Sequence, residues 1–509
     1  MEVSPEYAVQ MHSILKTFGT FTALDYVDLD VKKQTVHAIL GENGAGKTTL
    51  MNVLYGLYQA EGGDIYLNGK KATIATPTDA IKHGIGMVHQ HFMLVENFTV
   101  TENIILGDEV CGSAGILDMN KARKDVLDLV SEYGFEVDPD AKIQDITVGM
   151  QQRVEILKAL YRGAEILILD EPTAVLTPQE IDKLIEIMHN LIERGKTIII
   201  ITHKLREIMQ SADECSIIRR GVYMGTVNVK ETSETELASL MVGRSVNLTV
   251  DKTPAKPGDV VLSIKDLSVK DEREIEQVRG LNLEVRAGEI VGIAGIDGNG
   301  QQELVDAITN LVPSERGTIT IKGTEIQNTS PKTARLAGVS TIPSDRQRWG
   351  LVLPFTVSEN MVLERHETDE FGKGWQLDYS KMDEFTNDLI ERYDIRPKDC
   401  ANNRMSGLSG GNQQKTIIAR MIAANPDLLI AFQPTRGLDV GAIDFMHREL
   451  IAARDRGTAI LLISFELDEV MDVSDTIAVI YHGEIVKTFK QGTVDENQLG
   501  LLMAGGEAK

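Results

Sequence analysis

Residues 41–48 have the types and spacing of a phosphate-binding loop. They read Gly-Glu-Asn-Gly-Ala-Gly-Lys-Thr and match the pattern G-x-x-x-x-G-K-[ST]. Glycines let the backbone curl so that its amides, and the N-terminus of a following helix, point at phosphate groups. Lys47 adds a positive charge for the outer phosphates, and the Thr48 hydroxyl is a ligand for Mg²⁺. A strand-like segment precedes the loop and a predicted helix, Thr48 to Tyr58, follows it, so we predict that the loop binds a nucleoside triphosphate.

An acidic pair follows a second strand-like segment, Ile166–Leu169. Asp170 can orient the ligands of Mg²⁺, and Glu171 stands where it could polarise a water toward the terminal phosphate. Such a pair is often only a solvated surface feature, but an intact phosphate loop favours the catalytic interpretation. His203 follows a third apolar segment. A lone histidine there is more often structural, yet its place beyond the acidic pair favours a role in the site.

The elements that must position these residues occur twice in the chain. Gly295 lies 254 residues after Gly41, and Pro434-Thr435 lies 262 residues after Pro172-Thr173. Strand-like and helical segments alternate in both halves, which is typical of an α/β fold. We therefore predict two consecutive domains, residues 5–243 and 259–505, joined by a linker at 244–258.

The two copies have lost different parts. The second copy replaces the chemical residues of the first, with Gln301 for Lys47, Ser344 for Gln90, Phe432 for Asp170, Gln433 for Glu171 and Phe465 for His203. Conversely, the second copy reads Ser409-Gly410-Gly411-Asn412 where the first reads Thr147-Val148-Gly149-Met150. Only by taking parts from both halves can one complete site be assembled.

Composition excludes several classes of protein. The 52 basic and 76 acidic residues give a net charge of −24, which argues against a nucleic-acid partner because such proteins usually carry a basic stripe. Cys111, Cys215 and Cys400 stand singly, without metal or disulfide spacing, as expected in a reducing cytoplasm. No apolar run approaches the roughly 20 residues that span a bilayer. Any action at a membrane is therefore expected to go through another chain.

The order of phosphate loop, Gln90, signature segment, Asp170-Glu171 and His203 resembles that of an ABC-type ATPase over essentially residues 5–505. More narrowly, the chain resembles the tandem-cassette ATP-binding subunits of bacterial sugar and nucleoside importers. Residues 88–103 and 155–162 are most similar to the nucleoside type. The resemblance implies two cassettes, each with a RecA-like core, an antiparallel β region and a helical subdomain.

The resemblance also implies roles for individual residues. Phe18 would stack on adenine; the less favoured alternative is a core aromatic at a strand end. Gln90 would meet Mg²⁺ and report to the membrane partner, Glu171 would be the general base, and His203 would contact the terminal phosphate. The implied ATP-binding residues are Phe18, Gly41, Asn43, Gly44, Gly46, Lys47, Thr48 and Thr49 in the first half and Ser409, Gly410, Gly411, Asn412 and Asp439 in the second; Thr48, Gln90 and Asp170 would hold Mg²⁺.

Cassettes of this family pack head to tail, with each nucleotide between the phosphate loop of one and the signature of the other. Applied to this chain, that arrangement implies an intramolecular cassette dimer with one competent site and one degenerate site. The competent site combines the phosphate loop and acidic pair of the first half with Ser409–Asn412 of the second.

The expected function is ATP hydrolysis that energises nucleoside import, with import of simple sugars such as ribose or galactose as the alternative. The implied partners are integral-membrane permease subunits and, indirectly, an extracytoplasmic solute-binding protein. The implied location is the cytoplasmic face of the bacterial cell membrane. A soluble tandem ATPase acting on ribosomes or DNA is disfavoured by the acidic composition, the short linker and the absence of cysteine pairs.

Overall fold

A computed structural model divides the chain into two compact units, Met1–Val246 and Asn247–Lys509. It describes residues 3–19, 21–42, 44–89, 93–112, 115–173, 176–202, 204–243, 252–271, 273–366, 370–373, 376–438 and 440–506.

The first unit alternates strands and helices. Its strands are β1 Tyr7–Phe18, β2 Phe21–Lys32, β3 Val36–Leu40, β4 Gly62–Leu67, β5 Lys70–Ala72, β6 Ile85–Val88, β7 Ile166–Asp170, β8 Thr197–Ile201, β9 Glu214–Arg219 and β10 Val222–Asn228. Its helices are α1 Lys47–Leu54, α2 Pro77–Lys82, α3 Val100–Ile105, α4 Met119–Tyr133, α5 Val148–Tyr161, α6 Pro178–Glu193, α7 Leu205–Ser211 and α8 Glu234–Val242.

Two sheets organise this unit. One has the order β10-β9-β3-β8-β7-β6, with parallel pairing throughout except between β9 and β10. Its strands β3, β6, β7 and β8 are buried along their whole length, as expected for a parallel sheet covered on both faces. The other sheet is antiparallel, with the order β2-β1-β4-β5. Helices α3, α4 and α5 pack on one another as the helical region.

Helix α1 lies in the hydrophobic core between the two sheets. Leu50 and Leu54 of α1 join Leu24 of the antiparallel sheet and Ile168 and Ile199 of the parallel sheet in one buried cluster. The helix is shorter than predicted, since it ends at Leu54 instead of Tyr58. Gly56 adopts a left-handed φ of 79°, and the Leu57 amide donates to the Asn52 carbonyl at 2.8 Å. This turn terminates the helix.

The second unit repeats the same plan. Its strands are β11 Val260–Lys270, β12 Glu276–Arg286, β13 Ile290–Ala294, β14 Arg316–Ile321, β15 Thr324–Glu325, β16 Val339–Ile342, β17 Gly372–Lys373, β18 Gln376–Leu377, β19 Leu428–Phe432, β20 Ala459–Ser464, β21 Thr476–Tyr481 and β22 Glu484–Lys490. Its helices are α9 Gln301–Ile308, α10 Pro331–Leu336, α11 Val357–Val362, α12 Tyr379–Arg392, α13 Gly410–Ala423, α14 Val440–Asp455, α15 Leu467–Val473 and α16 Glu496–Met503.

Strand order confirms the repeated fold. The large sheet of the second unit has the order β22-β21-β13-β20-β19-β16. Position by position, these strands are the counterparts of β10-β9-β3-β8-β7-β6 in the first unit. The antiparallel sheet β12-β11-β14-β15 likewise matches β2-β1-β4-β5. Backbone conformation repeats as well: Glu171 and Gln433, which lie 262 residues apart, have φ values of 47° and 50°.

Part of the predicted linker is packed on the second unit. The Lys252 ammonium donates to the carbonyls of Val473 and Ser474 at 2.8 and 2.7 Å. The buried Arg454 guanidinium donates to the Thr253 carbonyl at 2.9 Å. The segment from residue 252 onward is therefore held by hydrogen bonds from its start, while residues 244–251 lie outside the described residues.

Candidate functional site

The phosphate loop connects β3 to α1 at the carboxyl edge of the parallel sheet. Gly44 and Gly46 have φ values of 79° and 105°, a region that side chains other than glycine rarely adopt. A Cβ at Gly46 would lie 2.7 Å from the Ala23 carbonyl oxygen, so glycine is also required there for space. The loop then enters α1 at Lys47, which aims the first turn of the helix at the loop's interior.

Lys47 is buried inside this loop. Its ammonium donates to the carbonyls of Gly41 and Glu42 at 2.7 and 3.1 Å. Burial lowers the pKa of the ammonium, while the negative charges of Glu171, Asp170 and Glu42 oppose that shift. The amine therefore lies in the electrostatic field of the acidic pair.

Asp170 ends β7 with its side chain buried. Burial, and next the charge of Glu171, raise the pKa of Asp170 to about 6, against the opposing effects of Lys47 and a hydrogen bond from Thr48. Glu171 follows in the left-handed conformation, and its amide donates to the Ile201 carbonyl at 2.9 Å. The turn thus joins the ends of β7 and β8 and brings both carboxylates to the phosphate loop.

The structure therefore brings together Lys47, Thr48, Asp170 and Glu171. Of the other candidates in the first unit, Gly41, Gly44, Gly46 and the half-buried Thr49 belong to the same loop and helix. Four candidates, Asn43, Gln90, His203 and Asp439, lie outside the described residues. Among the residues that are described, no group of three or more His, Cys, Asp or Glu could hold a metal ion.

Phe18 lies at the end of β1 with 44% of its surface exposed, so it is not a core aromatic. Its ring meets that of Tyr58 edge to face, with 5.3 Å between centroids, and the Lys16 ammonium lies 5.3 Å from its centroid. An exposed ring supported in this way can stack on a planar ligand.

The second phosphate loop keeps its shape without a lysine. Gly298 and Gly300 have φ values of 87° and 94°, close to those of Gly44 and Gly46. The buried Gln301 donates to the Ile296 carbonyl at 3.0 Å, and its own carbonyl accepts the Asn299 amide at 3.0 Å. The Gln301 side-chain amide therefore forms hydrogen bonds inside this loop, and one of the loop's backbone donors, the Asn299 amide, is already used.

The acidic pair is replaced by apolar packing in the second unit. The Phe432 and Phe465 rings meet edge to face, with 6.3 Å between centroids. Gln433 keeps the left-handed backbone, and its amide donates to the Ile463 carbonyl at 2.7 Å. Its buried side-chain nitrogen has no hydrogen-bond partner among the described residues.

The two signature segments begin their helices differently. Thr147 caps α5, since its hydroxyl accepts the Met150 amide at 3.3 Å. Ser409 instead accepts from the Asn412 side chain at 2.9 Å, and none of the described side chains caps α13. The first amides of α13 are therefore left to an external acceptor, which suits an anion.

Two charged residues next to these helices were missed from the sequence. The carboxylate of Glu180 lies against Gly149 in the first turn of α5, where a Cβ would overlap it. The guanidinium of Arg346 lies against Gly410, with Nη2 2.7 Å from the position of a Cβ. For Arg346, the repeat offered a signal in the sequence: Ser344 is the counterpart of Gln90, and Arg346 stands only two residues after it.

The ABC transporter family profile matches residues 24–174 and 278–436. The chain belongs to the ABC transporter family. It is 54% identical over 502 residues to the nucleoside import ATP-binding protein NupA of Lactococcus lactis subsp. cremoris, covering 98% of this chain and 99% of that protein. It is 53% identical to the guanosine import ATP-binding protein NupO of Bacillus subtilis, and the match covers 99% of this chain and 98% of that protein. The glucose import ATP-binding protein TsgD13 of Haloferax volcanii is 42% identical, and the match covers 98% of this chain and 96% of that protein.

As an ABC protein, the chain is a P-loop ATPase with two cassettes, and ATP is its nucleotide. The first cassette has the lysine, the hydroxyl and the acidic pair beside one another. The second has a loop that is closed by Gln301 and a signature helix that no described side chain caps. No helix within the described ranges is long and apolar enough to cross a membrane.

Proposed function

We propose that the chain hydrolyses ATP to drive the import of nucleosides. The observation that supports this most strongly is the identity of 54% and 53%, over nearly the whole chain, to proteins named for nucleoside and guanosine import. Import of a simple sugar is the second candidate, because a glucose import protein is 42% identical over a similar span.

One composite site would carry the hydrolysis. The first cassette, residues 5–243, would supply the phosphate loop and the acidic pair, and the second, residues 259–505, would supply Ser409–Asn412 and Asp439. The complementary losses support this division, as do the Gln301 side chain inside the second loop and the absence of a side-chain cap on α13 among the described residues. The second site, with Gln301, Phe432 and Gln433, would be degenerate.

Within the competent site, Lys47 would hold the outer phosphates and Glu171 would take the proton of the attacking water. His203 would contact the terminal phosphate. Thr48 and Asp170, with Gln90, fit Mg²⁺ because hydroxyl, carboxylate and amide oxygens are its preferred ligands, and Thr48 and Asp170 are within hydrogen-bonding reach of each other. The ion would neutralise charge on the phosphate oxygens.

The partner would be a membrane-spanning permease that docks beside Gln90, at the cytoplasmic face of the membrane. A cavity of about 110 Å³ is lined by residues that precede and follow positions 90–92 in the chain, among them Tyr55, Met87, His89, Met93, Glu155 and Arg162. Met93 is 66% exposed, and its amide is held by the Glu155 carboxylate at 2.8 Å. Val95 and Phe98, which follow Met93 closely in the chain, are also exposed, and a group of exposed apolar side chains suits a protein contact. A solute-binding protein would act on the outer side, without touching this chain.

Uptake of labelled solutes tests the proposal. Cells that produce the chain with its permease and binding protein should accumulate labelled guanosine or adenosine and not ribose or galactose. The matched control is Glu171→Gln, which should abolish uptake because it removes the general base. Glutamine is accommodated at this turn, as Gln433 shows in the other cassette.

Gln433→Glu should not rescue that control, since a lysine and a metal ligand are also missing there. Accumulation of sugar alone would support the sugar candidate. Uptake that persists in the Glu171→Gln variant would contradict the one-site model.

A further inference from the structure

Residues Arg346–Gly350 form a π-helical turn in the second cassette. By sequence position, this turn corresponds to the segment that follows Gln90 in the first cassette. The Asp345 carboxylate accepts the amides of Gln347 and Arg348 at 2.9 and 3.0 Å. The Gln347 side chain donates to Gln413 of α13 at 3.1 Å. The turn is therefore closed by its own cap and fixed to the signature helix.

A buried arginine strengthens this attachment. Arg420, in the middle of α13, donates to the Gly350 carbonyl at 2.7 Å and to the Asn360 carbonyl at 3.0 Å. A Cβ at Gly350 would lie 2.6 Å from Ile417, so the turn is in close contact with the helix. Arg346 at the head of the turn consequently has a defined position relative to Ser409 and Gly410.

The Arg346 guanidinium is only partly satisfied in that position. Nη1 donates to the Arg436 carbonyl at 2.9 Å, and Nη2 lies next to Gly410. Nε is buried and has no hydrogen-bond partner among the residues that the structure describes. Burial lowers the pKa of this guanidinium; the charge of Asp345 opposes the shift and that of Arg436 adds to it. Asp345 offsets only part of this cost, because a half-buried cation beside a second arginine and a helix N-terminus would be further stabilised by another anion.

The first cassette shows the opposite charge at the matching place. Glu180 forms a capping box with Thr177 at the start of α6, in which each side chain accepts a hydrogen bond from the other residue's backbone amide. The Glu180 carboxylate also lies against Gly149 at the start of α5. Its counterpart, 262 residues later, is Ala442. One signature helix thus has a capping side chain and a neighbouring carboxylate, and the other has a neighbouring guanidinium and no cap among the described side chains. Only the second of these environments attracts an anion.

We propose that Arg346 binds the terminal phosphate of ATP, donating hydrogen bonds to its oxygens beside the Ser409 hydroxyl and the first amides of α13. The inference rests on the proposed function, because the nucleotide would be the one held by Lys47. Arg346 is then a phosphate ligand that cassette two supplies in addition to its signature. It also gives a role to a guanidinium whose Nε has no partner among the described residues.

Steady-state hydrolysis by the full chain tests the proposal. Arg346→Ala should lower kcat/KM for ATP by about 10- to 100-fold, the usual range for a charge-assisted hydrogen bond. Arg346→Lys should recover part of the loss, because it keeps the charge without the planar fork. The matched control is Arg348→Ala, on the same turn, where the side chain is exposed and stacks on Trp349. It should hydrolyse ATP at the wild-type rate.

Ser409→Arg separates failure of this inference from failure of the proposed function. Loss of hydrolysis in Ser409→Arg with wild-type activity in Arg346→Ala would overturn the role of Arg346 and leave the composite site standing. Full activity in Ser409→Arg would overturn the composite site itself.

A binding measurement separates a phosphate ligand from a merely structural residue. Both tryptophans, at positions 349 and 375, lie in the second unit, so their fluorescence follows its unfolding. In a Glu171→Gln background, where ATP persists, Arg346→Ala should leave the ATP-free melting temperature unchanged or higher and shrink the increase caused by Mg-ATP. A lower ATP-free melting temperature with an undiminished ATP effect would show a structural role and overturn the proposal.

Discussion

Replacing Asp170 by asparagine should make the nucleotide-free protein more stable while it destroys hydrolysis. The carboxylate lies buried at the end of β7, next to Glu171. Lys47 and Thr48 favour its charged form, but burial and the neighbouring carboxylate outweigh them. Asparagine has nearly the same shape and carries no charge, so it removes the repulsion and keeps the packing.

The size of the effect follows from the shift in pKa. The pKa of Asp170 rises from an ordinary value of 3.8 to about 6 in the folded protein. One unit is worth about 1.4 kcal/mol, so the ionised group costs about 3 kcal/mol of unfolding free energy at pH 8. An acid with a raised folded pKa costs nothing well below pH 3.8, and its full cost is present above about pH 6. At pH 4.5 the cost should be about 1 kcal/mol.

Urea unfolding followed by two signals can measure this. Circular dichroism reports both units, whereas tryptophan fluorescence reports the second alone, because both tryptophans lie there. Asp170→Asn should shift the transition seen by circular dichroism and leave the fluorescence transition in place. The gain at pH 8 should exceed that at pH 4.5 by about 2 kcal/mol. Asp182→Asn, on the exposed face of α6, is the control and should shift neither transition.

A gain that is the same at both pH values would refute the electrostatic reasoning, because packing or helix propensity would then be its source. A loss of stability at pH 8 would show that the attraction of Lys47 exceeds the cost of burial. Either result would also weaken the proposal that Asp170 is a buried ligand for Mg²⁺.

Two further predictions concern the nucleotide. Ser409→Arg should reduce ATP hydrolysis at saturating ATP by at least about ten-fold, because a charged hydrogen bond is lost and closure is blocked. Val148→Arg, in the matching signature segment of the first cassette and likewise exposed, should do far less. The reverse pattern would show that parts are assigned to the wrong sites. Phe18→Ala should weaken ATP affinity roughly ten-fold in a fluorescent-nucleotide titration, because a stacking face is lost. The control Phe18→Tyr should bind ATP with wild-type affinity. Wild-type affinity in Phe18→Ala would show that the ring only packs on Tyr58 and does not bind the nucleotide.

The fold and the first phosphate site could be predicted because their signals are local. The loop, its glycines and the start of α1 are contiguous in sequence, and Asp170 and Glu171 follow directly on a buried strand. Parallel strands end at one edge of a sheet, so these groups had to meet. The repeat then carried the same reasoning to the second half.

What could not be predicted depends on contacts between distant segments. Helix α1 stops four residues early because Gly56 fits closely against the Thr76 carbonyl, at 2.6 Å from a Cβ position. Whether Phe18 was exposed could not be read from its place at a strand end. The pairing of Arg346 with Gly410 joins residues 64 positions apart and has no periodic or compositional signal.

The second cassette keeps the backbone turn of the acidic pair without its carboxylates, and the reason is that this turn also holds the signature helix. Gln433 retains the left-handed turn of Glu171 and its bond to the next strand, at 2.7 Å against 2.9 Å. Gln414 of α13 donates to the Pro434 carbonyl, as Gln152 of α5 donates to that of Pro172. These bonds tie the signature helix to the end of the central sheet. In the proposed one-site model, the second cassette presents Ser409 and its neighbours to a nucleotide. Such a cassette would still need this link, whereas it would not need a base or a metal ligand. Loss of the chemical residues with retention of the turn is therefore what the proposed model requires of the second half.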